Sequence, residues 1–300
     1  MLSFRPLELE DKQVIDSYFE KEHSRKCAHS FNTIYLWQGH YNTNFCIEND
    51  TMFIRSVSDG VPSYHLPIGS GELAESMEHI LEDARAFSEP PRIVGMRRED
   101  TERLEAAMPG RFRFTERRDS AEYIYLASSL ASLAGKKLHS KRNFINRFTQ
   151  AFAGRYEYLT YRGGMKGEVL QFHKKWCEQN NCKLSASLRD EKCVIHLALD
   201  HFDVLGLTGG VLKLDGEIIA FTFGSRLGED TFDVHVEKAD GEIPGAYPMI
   251  NNCFVKNECM QYRYINREED MGLEGLRRAK LSYQPEILLE DYVGELTAWK

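Results

Sequence analysis

The chain lacks any uninterrupted apolar run of the roughly 18 residues that a membrane-spanning helix needs, so no membrane span is expected. Its N-terminus, MLSFRPLELEDK, turns acidic at once and has no apolar stretch of the kind a secretory signal requires. No CxxC pair occurs. The seven cysteines stand apart at 27, 46, 177, 182, 193, 253 and 259, the nearest two being Cys177 and Cys182, and no histidine cluster completes a metal set. Reduced thiols, a cytoplasmic location and no metal are therefore expected. Basic excess is also missing: the formal net charge is −8, which disfavours a protein that coats nucleic acid or anionic membrane with its whole surface. There is no literal repeat and no Pro/Ser-rich linker.

What is present is ordinary globular material. Of 300 residues 42% are hydrophobic and 28% charged, enough for a sizeable core in one large domain or two of common size. The second half is the more regular. Arg155–Arg162 alternates as a strand, Met165–Gln179 and Leu188–Leu205 have helical spacing, and Gly210–Leu214 and Glu217–Ser225 flank the hairpin pair Asp215-Gly216. Thr231–Glu237 follows as a strand, then a helix from Gly245 to about Cys259 with Pro248 in its first turn. Tyr262–Asn266, Leu273–Leu281 and Glu286–Tyr292 complete the set as strand, helix and strand.

The resulting order, β-α-α-β-β-β-α-β-α-β, resembles the GCN5-related N-acetyltransferase fold. The first half carries a weaker copy: strands at Ser3–Glu8, Asn44–Glu48, Met52–Val57 and Arg92–Met96, helices at Asp11–Glu22, Ser30–Tyr41, Gly71–Phe87 and Glu99–Met108, and a closing strand pair, Arg111–Thr115 with Tyr123–Ala127. We therefore expect an α/β protein of two tandem acetyltransferase-like domains, 1–134 and 135–300. Each would be a mixed, mostly antiparallel sheet flanked by helices, the second opening with a connecting basic helix at 135–153. One α/β domain with an N-terminal extension is the alternative.

Four stretches can carry chemistry. Lys136–Arg147, KKLHSKRNFINR, holds five Lys/Arg and no carboxylate. Leu138, Ile145, Phe148 and Phe152 share one side of its helix, leaving Lys137, Lys141 and Arg142 to project towards phosphates. A solvated helix face would explain it too, although such a face usually mixes signs. Gly241-x3-Gly245-Ala246-Tyr247 lies at a helix start, where free amides and the helix dipole favour an anion. On the strand before it, a period of two puts His235 and Glu237 on one face, opposite Val234 and Val236. Glu237 could accept a proton from an attacking amine, or could simply pair with Lys238 or Arg267. In NREEDMGLEGLRRAKLSYQP, residues 266–285, Asn266 and Asp270 leave a strand end, Arg277 and Lys280 share a helix face, and Tyr283 is placed to protonate a leaving group.

These residues also carry a family resemblance. GKKLHSKRNFINRF, FDVHVEKADGEIPGAYPMINN and INREEDMGLEGLRRAKLSYQP resemble the bacterial family of unknown function related to the C-terminal domain of phosphatidylglycerol lysyltransferase. The likeness covers essentially the whole chain. It implies a tandem acetyltransferase-like fold, with relatives among the lysyltransferases and the Fem-type aminoacyltransferases that use charged tRNA. The acetyltransferase likeness implies a coenzyme A or acyl-CoA donor at Gly245, Ala246 and Tyr247, helped by Asn266, Arg277, Lys280, Lys137, Lys141 and Arg142, with Glu237, Tyr283 and Asp270 catalytic. The usual Arg/Gln-x-x-Gly-x-Gly/Ala pattern is not kept, since Pro244 stands where its first glycine would fall. Three expectations result: acyl transfer from coenzyme A to a small-molecule or peptide amine, aminoacyl transfer from a tRNA held by Lys136–Arg147, or a non-catalytic binding protein. A monomer is expected in each case.

Overall fold

The early alternating segments form one eight-stranded sheet in the computed structural model, which describes residues 2–180 and 186–299. Its strands are β1 (Arg5–Pro6), β2 (Asn44–Glu48), β3 (Thr51–Ser58), β4 (Val61–His65), β5 (Ile68–Gly69), β6 (Arg92–Met96) and β7 (Phe112–Glu116), joined by a strand from the far end of the chain, Tyr292–Leu296. Helices α1 (Lys12–Lys21), α2 (Phe31–Tyr41), α3 (Leu73–Ala84) and α4 (Arg98–Ala107) accompany it. The strand expected at Ser3–Glu8 shrinks to two residues, and β4 is an addition that Pro62 hides from a sequence reading. Pro62 pairs with Val57, and the parallel partner β6 joins only from Ser63, so the missing N–H costs no rung there.

Two compact units result. The first holds residues up to Glu122 with Glu269–Leu273 and the segment from Leu288 onward; the second holds Tyr123–Glu268 and Glu274–Ile287. The core of the first contains Phe53, Tyr64, Met77, Ile80, Ile93, Leu104 and Phe112. Beside it, Lys26 is 1% exposed, and its ammonium lies 2.7 Å from Asp291 and 3.5 Å from Glu122. Burial opposes the charge, but the two carboxylates outweigh it and raise the lysine pKa. An ion buried this deeply persists only while paired, so Lys26 fastens the returning C-terminal segment.

The second unit runs β8 (Glu122–Leu126), α5 (Ala127–Ser132), α6 (His139–Ala151), β9 (Tyr156–Thr160), α7 (Lys166–Gln179), α8 (Ala186–Asp200), β10 (Thr208–Leu214), β11 (Glu217–Leu227), β12 (Thr231–Ala239), α9 (Ala246–Glu258), β13 (Tyr264–Asn266), α10 (Glu274–Leu281) and β14 (Ile287–Leu289). Its seven-stranded sheet has the order β14-β8-β13-β12-β11-β10-β9. The hairpin forms with Asp215 at φ 51° and Gly216 at φ 86°, the left-handed pair its turn requires. Two expectations are corrected at the chain's seams. Arg111–Thr115 and Tyr123–Ala127 do not pair with each other: β7 lies beside Tyr292–Leu296 (β15), while β8 lies beside β13 in the other sheet. The last expected strand, Glu286–Tyr292, is two strands, because β14 ends at Leu289 and β15 begins at Tyr292 in the first sheet. Cys182 lies outside the described residues, and no disulfide joins the other six cysteines to one another.

Candidate functional site

The parallel pair β12–β13 makes three rungs, Thr231 with Tyr264, Phe232 with Ile265 and Asp233 with Asn266. β13 then ends, while β12 runs on to Ala239 beside β11. Where neighbouring parallel strands part at their carboxyl ends, an open α/β sheet offers a crevice. The helix α9 that connects these two strands starts just beyond it.

A β-bulge decides which side chains enter. Phe223 pairs with Val236 and Ser225 with Asp233, so Val234 and His235 together oppose Gly224. Gly224 must be glycine, since a Cβ there would lie 1.9 Å from the Asp233 carbonyl oxygen. The extra residue breaks the period of two. Val234 belongs to the buried cluster that also holds Phe254 and Val255 of α9, and beyond the bulge Glu237 reaches Asn251 of the same helix, while Lys238 turns to Glu191 of α8 and Trp176 of α7. The expectation that Glu237 lies opposite Val234 is thus overturned by one inserted residue.

Glu237 becomes part of a polar cluster. One of its oxygens accepts from Asn251 Nδ2 at 2.9 Å and the other from Arg267 Nη2 at 2.8 Å. Arg267 leaves the end of β13 and lies over two phenol rings, 4.9 Å from the Tyr283 centroid and 5.8 Å from that of Tyr125. Its Nη1 is buried with no hydrogen-bond partner among the described residues. Burial opposes the guanidinium charge, but Glu237, Tyr125 and Tyr283 more than offset it and the pKa is raised. Lys141 of α6 sits on the same Tyr283 ring at 4.2 Å. Burial and Arg267 push its pKa below the ordinary lysine value, with Glu237 opposing. Burial pushes the Tyr283 phenol up, so it stays protonated. The centre is a guanidinium, a lysine amine of lowered pKa and one carboxylate beside two phenols, a set that suits a carbonyl oxygen or an anion.

The structure therefore brings Glu237, Lys141 and Tyr283 together, and adds Arg267, Asn251 and Tyr125. Arg267 entered the sequence reading only as a salt-bridge partner. Asn251 carried a usable signal, a polar residue inside an apolar helical stretch.

Other expected residues have different occupations. Arg142 donates from Nη1 to the carbonyls of Leu133 and Gly135, closing the end of α5. Lys280 is 8% exposed and donates from Nζ to the Arg267 carbonyl at 2.6 Å, so its charge supports the Arg267 backbone. Asn266 is buried and accepts the Glu268 N–H at 2.7 Å, turning the chain out of β13. Asp270 belongs to the first unit, where Arg118 lies 3.2 Å from one oxygen and Gly272 donates to the other at 2.9 Å. Lys137 is exposed just before α6, and Arg277 is half-buried on α10.

The start of α9 differs most from an anion cradle. Gly245 has φ 91°, and a Cβ on it would meet the Phe144 carbonyl oxygen at 2.9 Å and Phe148 Cβ at 3.1 Å. Its missing side chain admits helix α6. The Ala246 amide donates to the Ile243 carbonyl, the Met249 amide to Gly245, and Pro248 has none. The Tyr247 hydroxyl accepts from Trp176 Nε1 at 3.2 Å. One grouping among the described residues has metal-ligand chemistry: Asp233, His235 and Glu268.

The fold is that of the tandem GCN5-related N-acetyltransferase-like α/β proteins, two mostly antiparallel sheets flanked by helices. Residues 19–294 match the family described as phosphatidylglycerol lysyltransferase, C-terminal, and the chain belongs to that family. A conserved protein of unknown function from Bacteroides thetaiotaomicron is 41% identical, with 99% of this chain and 100% of that one covered at a TM-score of 0.94. The C-terminal domain of a putative lysylphosphatidylglycerol synthetase from Agrobacterium fabrum superposes at a TM-score of 0.68 with 12% identity, over 95% of this chain and 91% of that one. An uncharacterised protein of Mycoplasmoides gallisepticum is 24% identical over 179 residues, 58% of this chain; that match spans 56% of the curated relative's length.

Proposed function

We propose that the chain is an aminoacyltransferase that takes an aminoacyl group from its ester on tRNA and passes it to an acceptor amine or hydroxyl. The carrying observation is the Lys141–Arg267–Tyr283 group, oriented by Glu237, in the opening between β12 and β13. The acceptor attacks the ester carbonyl, and the oxygen that gains negative charge is held by the unpartnered Nη1 of Arg267. Lys141, in the neutral form that its lowered pKa makes more accessible, takes the proton from the attacking group as the new bond forms. When the carbon–oxygen bond breaks, Tyr283 supplies a proton to the departing ribose oxygen. With both carboxylate oxygens engaged, Glu237 positions Arg267. Family membership and the exposed Lys136, Lys137 and Arg147 at α6 support a tRNA donor.

Acyl-CoA is the second reading, favoured by the free stretch of β12 beyond Asp233, along which an extended arm could bind. The few unused amides at the start of α9 weigh against it. Hydroxylamine can replace the unknown acceptor in a test. Wild-type protein should accelerate discharge of a mixture of labelled aminoacyl-tRNAs. Arg267→Lys should slow that discharge about 100-fold and Tyr283→Phe at least about 10-fold. No acceleration by the wild type would overturn the proposal.

A further inference from the structure

Beside the proposed reacting group, but sharing no residue with it, the bulge and the turn after β13 converge on a second point. Asp233, His235 and Glu268 each bring one ligand atom to within 4.8 Å of the others. Their side chains are 0%, 3% and 20% exposed. His235 Nε2 lies 2.8 Å from Ser225 Oγ, while Nδ1 is 3.4 Å from Asp233 Oδ2 and 3.4 Å from Glu268 Oε1.

A neutral imidazole has one N–H and one lone pair. The short contact to Ser225 is the better hydrogen bond, and with Nε2–H donated there, Nδ1 turns its lone pair towards two carboxylate oxygens. Three groups with lone pairs thus converge on one point, the arrangement of a metal-ligand set. The opposite tautomer would give the Nδ1 proton to Glu268 Oε1 at 3.4 Å, a longer hydrogen bond than the 2.8 Å contact to Ser225.

We propose that Asp233, His235 and Glu268 bind one divalent transition-metal ion, of the Mn²⁺ or Zn²⁺ kind, where β12 and β13 part. One imidazole and two carboxylates suit these ions better than Mg²⁺, which prefers an all-oxygen set. Three protein ligands leave coordination positions for water or a substrate oxygen. Ser225, 3% exposed, is the outer partner that orients the histidine; it is too enclosed to serve as a nucleophile. The ion offsets the charge of two carboxylates and fastens the turn after β13 to β12.

Mn²⁺ tests this cleanly, because it prefers oxygen and nitrogen over the sulfur of cysteines. Full-length protein, stripped with a chelator, is titrated with Mn²⁺ while the paramagnetic resonance of the free ion is followed. One ion per chain should be taken up, and Zn²⁺ should displace it. Glu268→Gln and Asp233→Asn should abolish uptake, and Ser225→Ala should weaken it about 10-fold. Wild-type protein that leaves the free-ion signal intact, or equal uptake in wild type and Glu268→Gln, overturns the site. Glu268 is partly exposed, so its variant decides even if Asp233→Asn fails to fold.

Discussion

Arg267 sits at the centre of the candidate site, yet nothing in NREED marks it above its neighbours. What distinguishes it is where the end of β13 puts it: on Glu237, over two phenol rings, with one nitrogen unpartnered. Lys141, Glu237 and Tyr283 were legible, because an uncompensated basic run, a carboxylate on an apolar strand and a tyrosine after a basic helix are each unusual by composition. Arg142, Lys280 and Asp270 share that composition but are held by Leu133 and Gly135, by the Arg267 carbonyl and by Arg118. A sequence shows a side chain's charge, not which carbonyl has already taken it. Buried histidines give a residue-scale prediction. Burial, with nearby positive groups, pushes His29 to about 3, and His65 and His173 to about 4. Each is lowered from an unfolded value near 6.5, so the unfolded chain binds protons first as pH falls. Stability should be full above pH ~6.5 and decline towards pH ~4, by up to about 1.4 kcal/mol per pH unit for each histidine. Denaturant midpoints measured from pH 7.5 down to 4.5 check this; a flat profile would contradict it.

At the scale of elements, most of the second unit was readable, because its periodicities are clean and its turns carry Gly or Pro. Three features were not. The bulge at Val234–His235 depends on a register with β11 that only the folded sheet defines. The return of Tyr292–Leu296 to the first sheet depends on a partner far back in the chain. Gly245 looked like room for a phosphate, but its space is taken by helix α6. That last point is testable. Gly245→Ala puts a side chain at φ 91° and within 2.9 Å of a backbone oxygen, so it should destabilise the protein by about 2–3 kcal/mol in denaturant unfolding. A change below about 0.5 kcal/mol would mean that α6 does not pack there and that the helix start is open to a ligand.

On the scale of the whole molecule, the chain is two acetyltransferase-like α/β units of the lysyltransferase C-terminal family, and no described helix is long and apolar enough to cross a membrane. The net charge of −8 is the setting in which the exposed Lys136, Lys137 and Arg147 acquire meaning, since an acidic protein that binds tRNA must do so through a small basic area. Binding of an aminoacyl-tRNA, measured against salt beside the effect of coenzyme A on the melting temperature, tests the donor most directly. The tRNA affinity should fall with salt, the log–log slope should be shallower by about 1–2 in the Lys136→Ala, Lys137→Ala double variant, and millimolar coenzyme A should leave the melting temperature unshifted. A melting temperature raised by coenzyme A, together with no tRNA binding at low salt, would contradict a tRNA donor.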